Sequence, residues 1–280
     1  MDQLSLVFFT VLAQSAVGIF IALGLVELLG KPSGRALNQS FISVWIIMAI
    51  GALASVTHLG QPLRMFNVLS GAAHSPLSME IISMMLFGGA GVAFTAMRLF
   101  RVAPGLQKPL LVVAMILGGW LIVSIANVYT LETVPTWNSS WTCFQFLMTA
   151  AVVGPVGAAT LLRAEGNQLG SLQVSADKAL ATSACMLLTI AVAAYAGYLF
   201  WLGQLTLSAN PFTMMGYHPQ LVIGRVALLM AGILVWAVGA MRGSNKSMAP
   251  AAAGFLMVMV AELAGRVFFY DIFLSASAGM

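Results

Sequence analysis

Eight long apolar runs, separated by more polar breaks, make up 165 of the 280 residues. They fall at residues 4–29, 41–58, 79–97, 110–129, 144–162, 182–202, 221–241 and 250–270. Each is close to the ~20 apolar residues that carry an α-helix across a bilayer. Strands of a membrane barrel would be about half as long and would alternate in polarity at every second residue, so length selects helices. The breaks carry turn chemistry. Lys31-Pro32-Ser33-Gly34 follows the first run, Pro104, Gly105 and Pro109 divide the third from the fourth, and Gly166, Asn167 and Gly170 follow the fifth. Asn210-Pro211 and His218-Pro219 precede the seventh. Such clusters end helices. The expected fold is an all-α integral membrane protein, a bundle of eight transmembrane helices forming a single transmembrane domain over residues 1–280.

Composition agrees. Hydrophobic residues are 60% of the 280 and charged residues only 7%, against about 25% charged in soluble domains. So little charge cannot clothe a water-facing surface of this size. The first run lacks a basic segment ahead of it and is too long for the apolar part of a secretory signal, so it is expected to stay as a helix. Cys143 and Cys185 cannot build a disulfide framework or a zinc or iron–sulfur site. They are expected near opposite membrane faces as apolar fillers.

The net charge of +4 is informative through its distribution. The breaks after runs one, three, five and seven hold Lys31, Arg35, Arg98, Arg101, Lys108, Arg163, Lys178, Arg242 and Lys246, whereas the opposite breaks hold only Arg64. Lys/Arg-rich loops stay in the cytoplasm, which places both termini and the loops 59–78, 130–143 and 203–219 outside. Trp137, Trp141, Trp201, Tyr217 and Tyr270 then fall at the outer interface, where amphipathic rings are favoured. Leu59-Gly60-Gln61 recurs as Leu202-Gly203-Gln204 and Pro76 recurs as Pro219, both at an offset of 143. The matches suggest two parallel four-helix repeats, with halves 1–140 and 141–280; repeated halves are common in membrane proteins.

A charge at the bilayer centre costs about 2.5–3.5 kcal/mol on insertion scales and calls for a reason. Glu27 is expected to pair with Lys31, four positions on. Glu262 and Arg266 share one face of the last run, either as an intrahelical pair turned into the bundle or as groups that move protons or hold a polar ligand. Arg225, about one turn inside the seventh run, is expected to snorkel to the outer interface. His58 closes the second run and Glu80 opens the third, so both lie at the same depth, with Arg64 in the loop between them. An imidazole, a carboxylate and a fixed cation there can grip a polar headgroup and exchange its protons; equally, charges at an interface cost little and need no function. P-loop, dinucleotide and zincin motifs are absent. Bis-histidine haem is disfavoured, because His74 and His218 are loop residues and leave only His58.

The segment His58-Leu59-Gly60-Gln61-Pro62-Leu63-Arg64-Met65-Phe66-Asn67-Val68-Leu69, followed by Ser78-Met79-Glu80-Ile81, resembles the membrane-anchor subunit of bacterial anaerobic dimethyl sulfoxide reductase, the DmsC family. Overall length, eight-run layout and outward termini are similar too. The resemblance implies a subunit of the bacterial inner membrane with periplasmic termini that carries only the quinol half-reaction. It implies menaquinol as the redox carrier, no haem, and two partners on the outer face: an iron–sulfur electron-transfer subunit and a molybdopterin catalytic subunit. The family's functional histidine falls on His58, its quinol-site glutamate on Glu80 and an arginine of the same loop on Arg64. On this reading His58 hydrogen-bonds a ring hydroxyl, Glu80 takes its proton, and Arg64 steadies negative charge. Trp137, Trp141 and Phe212 in the outer loops suit partner docking. Three other readings stay open: the anchor of a polysulfide-type or other molybdoenzyme complex, an anchor that binds no quinol, and a transporter of two four-helix halves with Glu262, Arg266 and Arg225 along its path.

Overall fold

The computed structural model describes residues 4–32, 35–56, 75–166, 169–205, 212, 219–243 and 247–273. They form helices α1 (Leu4–Gly30), α2 (Asn38–Val56), α3 (Pro76–Phe100), α4 (Pro104–Tyr129), α5 (Ser140–Ala164), α6 (Leu172–Gly203), α7 (Pro219–Met241) and α8 (Ala249–Asp271). All eight are long and apolar enough to cross a membrane, as the run pattern predicts. Two begin well before the expected run, by six and ten residues. α4 starts at Pro104 and carries Pro109 inside its second turn. α6 starts at Leu172, and its first turns are amphipathic: Gln173 and Asp177 are buried while Lys178 faces out. Lys178 is therefore a helix residue rather than a loop residue.

The helices pack as two rings. α1–α4 close one ring, each helix on the next and α4 back on α1; α5–α8 close the other in the same way. The rings meet mainly along α1 and α5. These two helices are apolar around most of their circumference and bury most of their length, as helices surrounded by protein must. Small residues bring them together. Gly18 lies against the backbone of Ala150, and a Cβ on Gly154 would come within 2.6 Å of the Gly18 carbonyl oxygen. Close backbone approach through small residues at four-residue spacing is how membrane helices associate without a hydrophobic driving force. Gly154→Val is expected to destabilise the bundle by about 2–3 kcal/mol, because the neighbouring atoms are backbone and cannot swing aside. Denaturant titration of the purified subunit in detergent measures it; an unchanged midpoint would mean that the interface yields freely.

The first ring has an aromatic interior. Phe20 packs edge-on against Phe41 and Phe87, with ring centroids 5.4 and 5.5 Å away, and touches Trp45 and Phe94. Trp45 donates its indole hydrogen to Thr95 Oγ1 at 2.8 Å, satisfying its one polar atom.

One end of the bundle carries the described Lys and Arg residues outside the helix interiors and is called the basic end below. There Arg98 of α3 donates to Glu27 Oε1 at 2.5 Å, Asn38 Oδ1 at 3.0 Å and the Ala36 carbonyl at 2.6 Å, tying α1, α2 and α3 together. Glu27 thus pairs across helices rather than with Lys31, since the planar guanidinium reaches three acceptors at once and a neighbouring lysine cannot. Glu165, just past α5, accepts the backbone N–H groups of Leu37 at 2.7 Å and Ser40 at 2.5 Å. It caps α2, where a carboxylate also meets the positive end of the helix dipole. Arg163 pairs with Asp177, which also accepts from Gln173 at 3.0 Å.

Candidate functional site

Of the three residues singled out at the opposite, far end, Glu80 is described, and His58 and Arg64 lie outside the described residues. Pro76 occupies the first turn of α3, where its missing N–H costs nothing, and Glu80 follows one turn later. The carboxylate is only 6% exposed. α2, which packs against α3, carries the backbone to Val56, two residues short of His58, at the same end.

Toward the same end stands a tyrosine pair. Tyr270 Oη of α8 donates to Tyr129 Oη of α4 at 2.6 Å, and both hydroxyls lie within electrostatic reach of Glu80. The Tyr129 ring is boxed by Trp137, Phe146, Phe269 and Tyr270, with centroids 5.5–5.9 Å away. Trp137 stacks on Phe269 at 5.2 Å and donates its indole hydrogen to the Phe269 carbonyl at 2.8 Å. Thr136 and Thr142 fix the same loop through bonds to the carbonyls of Ile272 and Trp137. Trp137 and Tyr270 are therefore interior residues rather than members of an interfacial belt, and Trp137 is turned away from any docking partner. A ring whose polar atom can be satisfied inside is buried more cheaply than it is floated at an interface.

A second polar cluster fills the middle of the second ring. Arg266 lies 3.5 Å over the Phe146 ring and donates to Gln14 Oε1 at 2.7 Å and Thr149 Oγ1 at 3.3 Å. Thr149 donates to Glu262 Oε2 at 2.7 Å, and Arg225 meets the same oxygen at 3.3 Å. Arg225 also lies over the Tyr195 ring at 4.3 Å. It crosses α8 at Gly265, where a side chain would strike the guanidinium. Two expectations are corrected here. Glu262 pairs with Arg225 of α7 rather than with Arg266 on its own helix. Arg225, 8% exposed, does not snorkel, because a carboxylate within the ring offers it more than a reach to water. Two cavities of about 20 and 10 Å³ border Arg225 and Glu262, each near the size of one water. Arg266 Nη1 and Gln14 Nε2 have no hydrogen-bond partner among the described residues.

Sequence reasoning missed Tyr129, Gln14 and Thr149. Gln14 had a signal, as an amide in the middle of an apolar run. Thr149 and Tyr129 had none, since threonine commonly bonds its own helix and a terminal tyrosine reads as an interfacial anchor. Among the described residues no group of His, Cys, Asp and Glu stands together to hold a metal.

Eight membrane-length helices, with a buried carboxylate and a hydroxyl pair toward one end, define a multi-pass membrane protein. The model of the DMSO reductase anchor subunit family (DmsC) matches residues 1–272, and the protein belongs to that family. It is 30% identical over 275 residues to the YnfH subunit of anaerobic dimethyl sulfoxide reductase from Escherichia coli K12, covering 95% of this sequence and 93% of that one. To the C subunit of anaerobic dimethyl sulfoxide reductase from the same organism it is 28% identical over 277 residues, covering 95% and 93%. A stretch of 155 residues is 33% identical to the C subunit of the Haemophilus influenzae reductase, covering 54% and 56%. The protein is a multi-pass inner-membrane anchor subunit of a dimethyl sulfoxide reductase-type molybdoenzyme complex.

Proposed function

We propose that this anchor oxidises menaquinol at the far end of the bundle and passes two electrons to an iron–sulfur subunit docked there, which feeds a molybdopterin catalytic subunit. The observation that carries the reading is Glu80, a carboxylate held almost out of solvent at the start of α3, with the Tyr129–Tyr270 pair within electrostatic reach. A buried carboxylate is costly unless it has work or partners. In this reading His58 accepts a hydrogen bond from one ring hydroxyl, Glu80 takes the two quinol protons in turn and delivers each to the outer water, and Arg64 steadies negative charge on the ring oxygen. Electrons and protons leave on one side, so the step moves no net charge across the membrane.

The basic end faces the cytoplasm and both termini face the periplasm, in keeping with the loop charge bias. The two rings are parallel repeats. Two features support this. Exchanging α1–α4 for α5–α8 leaves the pattern of neighbours unchanged: α1 touches α8 and α6, as α5 touches α4 and α2. Pro76 and Pro219, the matched prolines, each begin the third helix of a ring.

The buried Arg225–Glu262–Arg266 cluster invites a transport reading. Against it, the facing surfaces of α7 and α8 toward the basic end are apolar and close: Gly232 and Gly254 meet backbone to backbone beside Ile233, Trp236 and Val258. Among the described residues, a path between α7 and α8 from the cluster to that end has no polar lining to follow.

Binding of a menaquinol analogue to the assembled complex tests the proposal. His58→Ala is expected to weaken binding about tenfold or more, the loss of a hydrogen bond to a charged or polarised group, while the three subunits still co-purify. Wild-type affinity in that variant would remove His58 from the site.

A further inference from the structure

The polar cluster of the second ring carries a surplus of positive charge that the far-end site does not use. Two buried guanidinium groups, Arg225 and Arg266, share one buried carboxylate, Glu262. That carboxylate is engaged with Arg225 and the Thr149 hydroxyl. Arg266 has no carboxylate within 4 Å among the described residues. Its hydrogen bonds go to the neutral Gln14 and Thr149, and its face rests on Phe146. The two arginines lie within electrostatic reach of each other. Two formal positive charges against one negative leave the cluster with a net positive charge inside a ring of apolar helices. Such a charge is costly unless something cancels it.

The free donors say what would cancel it. A cavity of about 10 Å³ is bordered by Gln145, Thr149, Arg225, Glu262 and Arg266. A second, of about 20 Å³, shares Gln145, Arg225 and Glu262 with it as walls. On the walls of the smaller cavity, each buried polar atom without a hydrogen-bond partner among the described residues is an N–H donor: Arg225 Nε and Nη1, Arg266 Nη1 and Gln145 Nε2. Guanidinium nitrogens accept nothing, so what meets them must be an acceptor. Water can accept, but it brings two hydrogens of its own and no charge. A monatomic anion accepts from every side, and hydrogen bonds to a charged acceptor are the stronger kind. Two adjoining cavities of this size leave no room for phosphate or a carboxylate ligand. Arg225 and Arg266 lie about 8–9 Å along their helices from the far end, at 1.5 Å per residue, so an ion reaches them from water at that end without crossing the membrane.

We propose that the second ring holds a halide ion, chloride under ordinary conditions, between Arg225, Arg266 and Gln145. The ion is the counter-charge that the cluster's own side chains do not supply, and with Glu262 it ties α5, α7 and α8 together. The close apolar contact of α7 and α8 toward the basic end makes it a bound ion and not one in transit.

The test uses the purified complex, dialysed into sodium gluconate, whose anion is too large for the cavity. Thermal unfolding is followed as sodium chloride replaces gluconate at constant ionic strength. The wild-type midpoint is expected to rise by about 5 °C at a hundredfold excess of chloride over half-saturation. Gln145→Leu removes one donor from a half-buried side chain and is expected to need about tenfold more chloride for the same gain, the usual worth of a hydrogen bond to a charged group. Crystals of the complex, measured at a wavelength where chloride scatters anomalously, are expected to show a peak within about 3.5 Å of Nη1 of both arginines. A midpoint indifferent to chloride would overturn the proposal. So would density at that point without an anomalous signal, which is water, or an unchanged half-saturation in Gln145→Leu, which places the chloride effect elsewhere in the complex. Should Gln145→Leu fail to fold, the anomalous peak of wild type decides the matter. Because the readouts are stability and density, failure leaves the far-end site untouched.

Discussion

Complexes carrying Glu80→Gln are expected to assemble fully and to oxidise a menaquinol analogue at least ~100-fold more slowly than wild type, the usual contribution of a positioned proton acceptor. Glutamine keeps the volume and the hydrogen-bonding shape of the carboxyl, so α3 has no reason to move. What it loses is the capacity to take a proton. Glu80→Asp, which keeps the chemistry but withdraws the oxygens by one methylene, is expected to fall between the two. Tyr270→Phe in the same assay separates direct from supporting roles. Removing one hydroxyl of the 2.6 Å pair leaves Glu80 in place, so a loss much smaller than that of Glu80→Gln is expected. Turnover at the wild-type rate in the Glu80→Gln complex would end the assignment of Glu80 as the proton acceptor.

The eight spans were legible because an uncharged apolar run of membrane length would be insoluble in almost any setting but a bilayer. The limits of that legibility are local. The first turns of α6 were invisible to an apolar-run reading because Gln173 and Asp177 are polar yet buried, held by Arg163 from α5. Ion pairing was misread for a related reason. Four-residue spacing along one helix is visible in a sequence, whereas Arg98 opposite Glu27 and Arg225 opposite Glu262 exist only once helices are packed. Trp137 and Tyr270 were legible as aromatic and near a rim, but whether such a ring floats at the interface or folds inward depends on an acceptor supplied by another element, here the Phe269 carbonyl and Tyr129. Glu80 was singled out by its position next to a helix start. Its neighbour Tyr129 was not, because half the sequence separates α4 from the α8 residue that gives it meaning.

Breaking the Arg225–Glu262 pair is expected to have the largest effect on stability. Their side chains are 9% and 3% exposed, with 3.3 Å between Arg225 Nη2 and Glu262 Oε2. Removing one partner strands a charge in a ring that water cannot reach freely, at a cost of about 3–5 kcal/mol. Glu262→Leu is expected at the upper end, because it leaves Arg225 and Arg266 as two cations with no anion in the cluster and takes the acceptor of the Thr149 hydroxyl as well. The double variant Arg225→Met/Glu262→Leu removes both charges and keeps the volume. It is expected to recover most of the loss, since desolvating an ion pair consumes much of what its attraction returns. Thermal unfolding of the purified complex in one detergent, across the four members of the cycle, gives the coupling energy. Additive losses would mean that the two side chains do not act as a pair. The double variant also settles what the cluster is for. If it oxidises quinol at the wild-type rate, the cluster holds α5, α7 and α8 in place and the proton leaves by Glu80 alone. If it folds as well as wild type but loses turnover, Glu262 belongs to the proton's route, and that route reaches from the first ring into the second.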